Sequence, residues 1–434
     1  MAEYYNLTSD RYNWLLEQPV VTYCFKLEIL DHNERSYGEI VRDVSDDENY
    51  TININNQQGM RRSCTLTMID VDKKYLPTIN HPFWYNKKFK LYTGVQDYDK
   101  GDTYWFAQGV FICSNASAQR YVLTLNGVDK FGFLDGTLNT HMIHETYKVE
   151  AGSSIGEVVR CTLMLELGNG QPIDPILPLI DPAFEQIKTI HDITLDPGTY
   201  LGEIFIQLAS MLGADVFYDV NGRMVLRRVF NDDIPFFYIY KGAQWHFNDL
   251  HEGYIEPTTD YQMDGVNYIM VATDNTEGEV YSYTALNDNP HSPIAVSHVG
   301  YRGDTENAIT YIPIGDTKGK EAIEDRCRQH AEYLLLQKTC MTLAVSFTAP
   351  LLPHLDVEEV VTITDSYFDF EKSQFLVQSI TINSIQAMQI SVVNLQWLPT
   401  DTEAPVAIEV EEDVEPEPEP DPEDPENNGS GGGD

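Results

Sequence analysis

The chain has 434 residues, 42% of them hydrophobic and 11% aromatic, a composition that folds and a length that suits two to four domains. No apolar run approaches the roughly 18 to 20 residues needed to cross a bilayer, and the opening MAEYYNLTSDRYNW lacks the basic and apolar regions of a secretion signal, so cytoplasmic folding without membrane insertion is expected. With 68 acidic and 28 basic residues the formal charge is −40, which disfavours a surface that grips nucleic acid by neutralising phosphate, although an acidic wall lets DNA slide past.

The first residues place Tyr4, Tyr5, Tyr12 and Trp14 beside a polar start. Tyrosine supplies rigid contact area with a polar handle, so these four are the expected docking residues for a neighbouring protein, while strand and core preference account for most of the chain's 26 tyrosines. From 21 to about 135 the pattern has period two. The segments 22–30, 50–55, 63–70, 88–94, 103–113 and 121–129 alternate or are rich in β-formers, which predicts an antiparallel barrel or sandwich. DYDKGD (97–102) has its Gly one place early for a calcium loop and no closing Glu, and reads as an acidic hairpin tip. Asp129 reads as a turn or cap residue rather than a catalyst.

Between 140 and 230 the character changes. HMIHE (141–145) lacks HExxH spacing and a third ligand, so no metal is assigned. Ser153 or Ser154 is placed to cap a helix carrying Ile155, Val158, Val159 and Leu163 on one face. A second helix over about 201–212 has the stripe Ile204, Phe205, Leu208, Leu212 and a stop at Gly213, and 215–228 reads as a hairpin turning at Asn221-Gly222. GNGQP (168–172) is too short for a phosphate loop, and neither a GxSxG elbow nor a catalytic cysteine signature occurs.

GVNYIMVATDN predicts a central strand, and 318–338 a helix with Ile323, Cys327, Ala331, Leu334 and Leu335 on one side. Period two then returns in EEVVTITD, SQFLVQSITIN and AMQISVVNLQWL. Residues 401–434 hold fourteen acids and no Lys or Arg, with Pro alternating among them, and predict a disordered tail. The six cysteines have no patterned spacing and read as buried apolar residues in a reducing compartment. The expected fold is mainly β with α+β insertions, divided into a β-domain at 1–138, an α/β module at 139–240, a second β-domain at 241–400 and the acidic tail at 401–434.

Four phrases in order, YLGEIFIQLASMLGADVFYDVNGRMVL (200–226), GVNYIMV (265–271), NDNPHSPI (287–294) and AEYLLLQKTCMTLAVSFTAPLLPHLDVEEVVTITD (331–365), resemble those of phage tail baseplate hub proteins. WFAQGVFIC followed by YVLTLNGVDKFGFLDG is similar to the same family. The resemblance covers most of 20–400 and implies two tube-like β-domains per chain. It implies a homotrimer offering six similar units to a sixfold tail tube, and a threefold spike or tail fibre below. Tape-measure and other baseplate proteins are implied neighbours, with DNA only passing through the lumen of a virion tail assembled in the host cytoplasm. No catalytic residue, cofactor or metal is implied, and the acidic tail departs from the pattern. Two alternatives are a tail-associated cell-wall hydrolase and a glycan-binding attachment protein using Trp84, Trp105 and Tyr104.

Overall fold

A computed structural model describes residues 9–40, 51–70, 72, 75, 87–140, 142–166, 168, 170–185, 187–189, 192–228, 243–263, 265–273, 280–304, 310–312, 320–340, 343–383 and 387–395. The acidic tail lies outside them. A short helix α1 (Asp10–Leu16) leads into β1 (Tyr23–Leu30), β2 (Ser36–Ile40), β3 (Thr51–Asn55), β4 (Arg62–Ile69), β5 (Lys88–Asp97), β6 (Asp102–Gln119) and β7 (Val122–Asp129). All the strands expected before residue 135 are present. Their alternation sends Phe25, Leu27, Ile29, Cys64, Leu66, Met68, Leu123 and Leu125 to one buried face.

The next part contains β8 (Tyr147–Val149), α2 (Ile155–Leu163), β9 (Leu179–Ile180), β10 (Ile193–Leu195), α3 (Gly202–Leu212), β11 (Ala214–Tyr218) and β12 (Met224–Arg228). Helix α2 buries the four apolar residues expected of it. Ser154 occupies its N-cap but makes no capping bond. Its hydroxyl donates to the Glu185 carbonyl at 3.1 Å instead, which ties the helix start to a neighbouring loop. Helix α3 stops at Gly213, whose φ of 59° is left-handed. In the β11–β12 hairpin Gly222 is left-handed at φ 76°, and Asp219 closes the turn by accepting the Asn221 and Arg223 amides. These elements share one core around Ile155, Val159, Leu201, Phe205, Leu208, Val216 and Leu226.

The last part runs β13 (Trp245–Asn248), α4 (Leu250–Gly253), β14 (Ile255–Tyr261), β15 (Tyr268–Thr273), β16 (Ser282–Leu286), α5 (Val296–Val299), β17 (Thr310–Ile312), α6 (Lys320–Cys340), β18 (Leu343–Pro350), β19 (Val360–Asp365), β20 (Phe370–Ile382) and β21 (Ala387–Asn394). Strand β15 is central between β16 and β17, as expected, and α6 packs Cys327, Ala331 and Leu335 against it.

The β-regions expected at 1–138 and 241–400 are joined edge to edge. One sheet runs β14-β18-β21-β20-β3-β4-β7-β6-β5-β1-β2, with β19 attached to β20 and β13 to β19. Strand β20 is the seam: its first half pairs with β19 and its last residues, 379–382, pair with β3 at 52–55, while β21 lines the other edge. A single apolar cluster takes residues from both regions, including Leu27, Leu66, Phe111, Phe347, Phe375 and Ile390. Separating the regions would expose that cluster as well as break the β3–β20 ladder, so they form one mechanical unit.

Candidate functional site

Three parts of the chain meet at a buried charged joint. Arg61 and Arg62, at the start of β4, are 3% and 2% exposed. Their backbone N–H groups both donate to Asp129 Oδ2, at 2.7 and 2.9 Å, and Asp129 Oδ1 accepts the Phe131 amide at 3.0 Å. Asp129 is thus the cap expected from the sequence, opening a short 3-10 turn at Lys130–Phe133. Burial pushes its carboxyl up to about 6 against the pull of those donors.

The two guanidiniums reach different partners. Arg61 makes a bidentate pair with Glu358, both bonds 2.9 Å, and Arg227 from β12 donates to the same Glu358 Oε2. Arg62 donates to Asp356 and, at 3.1 Å, to the Tyr218 carbonyl. Phe217 lies beneath the first pair, its ring centroid 3.6 Å from Arg61 and 4.6 Å from Arg227. Glu358 itself is left-handed, φ 64°, a conformation a non-glycine residue holds only where its surroundings over-determine it. Two guanidiniums on its side chain and a 2.8 Å bond from its amide to the Val377 carbonyl do so.

The loop 56–61 docks on β11. Gln58 Nε2 donates to Asp215 Oδ1 at 2.9 Å and to the Ala214 carbonyl at 3.1 Å, its Oε1 accepts the Val216 amide at 2.7 Å, and the Gly59 amide donates to the Val216 carbonyl at 2.8 Å. On the far side, Lys130 Nζ bonds Asp174 at 2.8 Å, the Gly222 carbonyl at 2.6 Å, and Glu34. Lys88 reaches Glu34 and the His32 carbonyl, each at 3.1 Å, and Tyr218 donates to Asp174 at 2.9 Å. Burial lowers the Lys88 ammonium from its ordinary value. The Arg and Lys side chains here each reach a charge or carbonyl of another segment, while Asp129 and Asp215 are held by amide donors. Such an arrangement fixes geometry, because removing one partner strands a buried ion.

The expected docking residues divide. Tyr4 and Tyr5 lie outside the described residues. Tyr12 is fully buried: its hydroxyl bonds His354 Nδ1 at 2.9 Å and its ring packs 4.6 Å from that of Phe106, so it pins α1 to the body and offers no surface to a neighbour. An apolar ring with a satisfiable hydroxyl suits a core as well as an interface, and the sequence alone does not separate the two. Trp14 is 43% exposed with the Arg11 guanidinium 4.2 Å from its ring centroid, and so remains available. Arg11 also clamps the hairpin tip through Asp97 at 2.7 Å and Asp99 at 2.8 Å, and the Arg11 bond holds the Asp97 carboxyl below its ordinary value. The DYDKGD tip is therefore a hairpin turn with its first acid buried.

His141 and Trp84 are outside the described residues, and among those described no group of three or more His, Cys, Asp or Glu is placed to hold a metal ion. Tyr104 and Trp105 are consecutive in β6 and so face opposite ways. Tyr104 approaches Tyr12 on one face, and Trp105 lies near the Lys26 ammonium on the other. They do not form a shared stacking platform. Cys64, Cys113 and Cys327 are buried as expected, but Cys161 is exposed on α2 and Cys24 only half-buried.

No family model and no curated protein sequence matches the chain. Solved structures do. The tail protein from Neisseria meningitidis MC58 aligns over 86% of this chain and 96% of its own, with a TM-score of 0.53 at 10% identity. A chain of the lidded Francisella PdpA-VgrG complex aligns over 91% of this chain with a TM-score of 0.51 at 10% identity, and this chain spans 56% of its length. The 43 kDa tail protein of prophage MuSo2 from Shewanella oneidensis gives 87% and 99% coverage, 12% identity and a TM-score of 0.48. The chain shares its fold with the Neisseria tail protein over nearly the whole of both, and that is the fold the sequence resemblance implied.

Proposed function

We propose that this chain is a structural protein of a phage-type tail, a hub that joins the tail tube to the spike or fibre at its tip, residing in the virion and acting by geometry rather than catalysis. The observation that carries the reading is the single sheet fusing two β-regions, in a fold shared with a tail protein across 96% of that protein. A part that bears load between two rings needs its β-units fixed relative to each other, and the β3–β20 seam and the buried charged joint both fix them.

In this reading each chain supplies two β-units, one from 1–138 and one from 241–400, with the 139–240 module bracing them. Three chains present six units to a sixfold tube, a symmetry match achieved by doubling a region within the chain. Tube and tape-measure proteins lie on one side and a threefold spike or fibre on the other. DNA passes through a lumen whose acidic walls do not hold it. Trp14, exposed on α1, is the described residue we assign to a neighbouring protein.

Light scattering after size exclusion tests the assembly. The expected mass is three times 49.4 kDa, alone or on mixing with tube protein. A monomer that stays monomeric at high concentration and with tube protein present overturns the trimeric hub.

A further inference from the structure

Lys130, Asp174 and Glu34 come from three separate turns and loops and meet in the interior. Lys130 opens the 3-10 turn after β7, Asp174 lies between α2 and β9, and Glu34 sits between β1 and β2. The Lys130 and Asp174 side chains are 1% and 2% exposed, and that of Glu34 is 9% exposed. Lys130 Nζ is 2.8 Å from Asp174 Oδ2 and 2.9 Å from Oδ1. Two such distances hold the nitrogen at roughly the 3–3.5 Å from Cγ at which reacting atoms meet. Glu34 Oε1 accepts a bond from the same nitrogen. Each Asp174 oxygen also has a second donor: the Tyr218 hydroxyl reaches Oδ2 at 2.9 Å, and the Ile176 amide reaches Oδ1 at 3.1 Å. An amine against a carboxyl carbon, a carboxylate on that amine and donors on both carboxyl oxygens are the parts of an acyl-transfer site.

We propose that the folded chain joins Lys130 to Asp174 through an amide bond between Nζ and Cγ, with Glu34 as the general base. Two protons leave Nζ through Glu34, and both end on one Asp174 oxygen. The Nζ–Cγ bond forms, the bond from Cγ to that oxygen breaks, and the oxygen departs as water. Glu34 is returned as the carboxylate, and no oxidant, reductant or activating group is consumed. The Tyr218 hydroxyl and the Ile176 amide hold the charge that develops on the Asp174 oxygens.

In water, hydration of the two ions opposes such a condensation. Here folding has already stripped that hydration, and the amide replaces two buried charges with one neutral group. Lys88 adds to the drive, because its ammonium also lies on Glu34 Oε1, at 3.1 Å, and so sets a like charge beside Lys130. The reaction leaves Glu34 and Lys88 as a matched pair. The new bond ties the first β-region to the α/β module, between positions 44 apart, at a joint otherwise held by ion pairs.

Mass spectrometry of the denatured full chain is the test. A deficit of one water, about 18 Da, relative to the unlinked chain is expected. A branched tryptic peptide is expected with it, uncleaved after Lys130 and joined to the segment that holds Asp174. Lys130→Arg keeps the cation but lacks the attacking amine, and Glu34→Gln keeps the volume but lacks the base. Both variants are expected at full mass, with positions 130 and 174 in separate peptides. A native chain still at full mass after prolonged incubation at neutral pH overturns the proposal, as does a water deficit that maps only to another position. A branched peptide in Glu34→Gln overturns the role of Glu34. The native chain decides the bond itself even where a variant fails to fold.

Discussion

Glu358 compensates two guanidiniums at once, and the consequence of neutralising it can be worked out. Glu358→Gln keeps the volume but removes the charge that compensates Arg61 and Arg227, leaving two guanidiniums buried at 3% and 4% exposure. Stranding one buried partner costs about 3–5 kcal/mol. The variant is expected to unfold at lower urea concentration by about that amount, and a loss below about 1 kcal/mol means that water reaches the joint. Little of this was legible in the sequence. Arg61 and Glu358 are 297 positions apart, and in a chain with 68 acids another Glu in LDVEEVV carries no mark of burial. The local sign was the apolar run around it: residues 351–361 are buried throughout, a stretch in which a charged residue needs a partner. The same ambiguity misplaced Tyr12, whose fate depended on His354, far along the chain.

At the scale of elements the sequence was a better guide, because strand and helix periods are local properties. The strands before 135, the helices at 155–163, 202–212 and 320–340, and the Gly213 stop all follow from spacing and turn chemistry. The joining of two sheets into one did not follow, since the β3–β20 pairing rests on a backbone ladder and on buried isoleucines (Ile52, Ile54, Ile380, Ile382) that any alternating strand can offer. The phrases GVNYIMV and NDNPHSPI acquire a shared physical meaning in the structure. Asn267, fully buried before β15, donates to the Ile294 and Gly300 carbonyls at 2.7 Å each and accepts the Arg302 amide at 2.7 Å. The Asn287 amide in turn donates to the Asn267 carbonyl at 2.8 Å. One side chain therefore closes the loop between β16 and the segment after α5. Asn267→Ala leaves two carbonyls and one amide without that partner, and is expected to cost about 2–4 kcal/mol. Hydrogen exchange locates the effect: protection is expected to fall at 292–302 and to hold in β18–β21, whereas a uniform loss would mean that the knot supports the entire fold.

For the whole molecule, the buried titratable groups act against each other. His354 is 2% exposed, and burial lowers its imidazole to about 4; burial and the nearby Arg326 charge do the same to His330. Both are neutral in the folded chain and take up protons near pH 6.5 once unfolded, so their contribution is present above that pH and is lost as pH falls through 4. Asp129 and Asp215, raised to about 6 and about 7, contribute in the opposite sense, losing stability as pH rises across the same interval. Between about pH 4 and 6 these four contributions therefore oppose one another. His354→Gln, which keeps a polar partner for the Tyr12 hydroxyl, removes one member of the opposing pair. Relative to the native chain, its folding constant is expected to rise by up to tenfold for each pH unit below 6.5, flattening near pH 4. Urea midpoints at half-unit steps read this directly. Parallel profiles for the two proteins would show that His354 already titrates normally in the folded state, which requires solvent at the Tyr12–His354 contact.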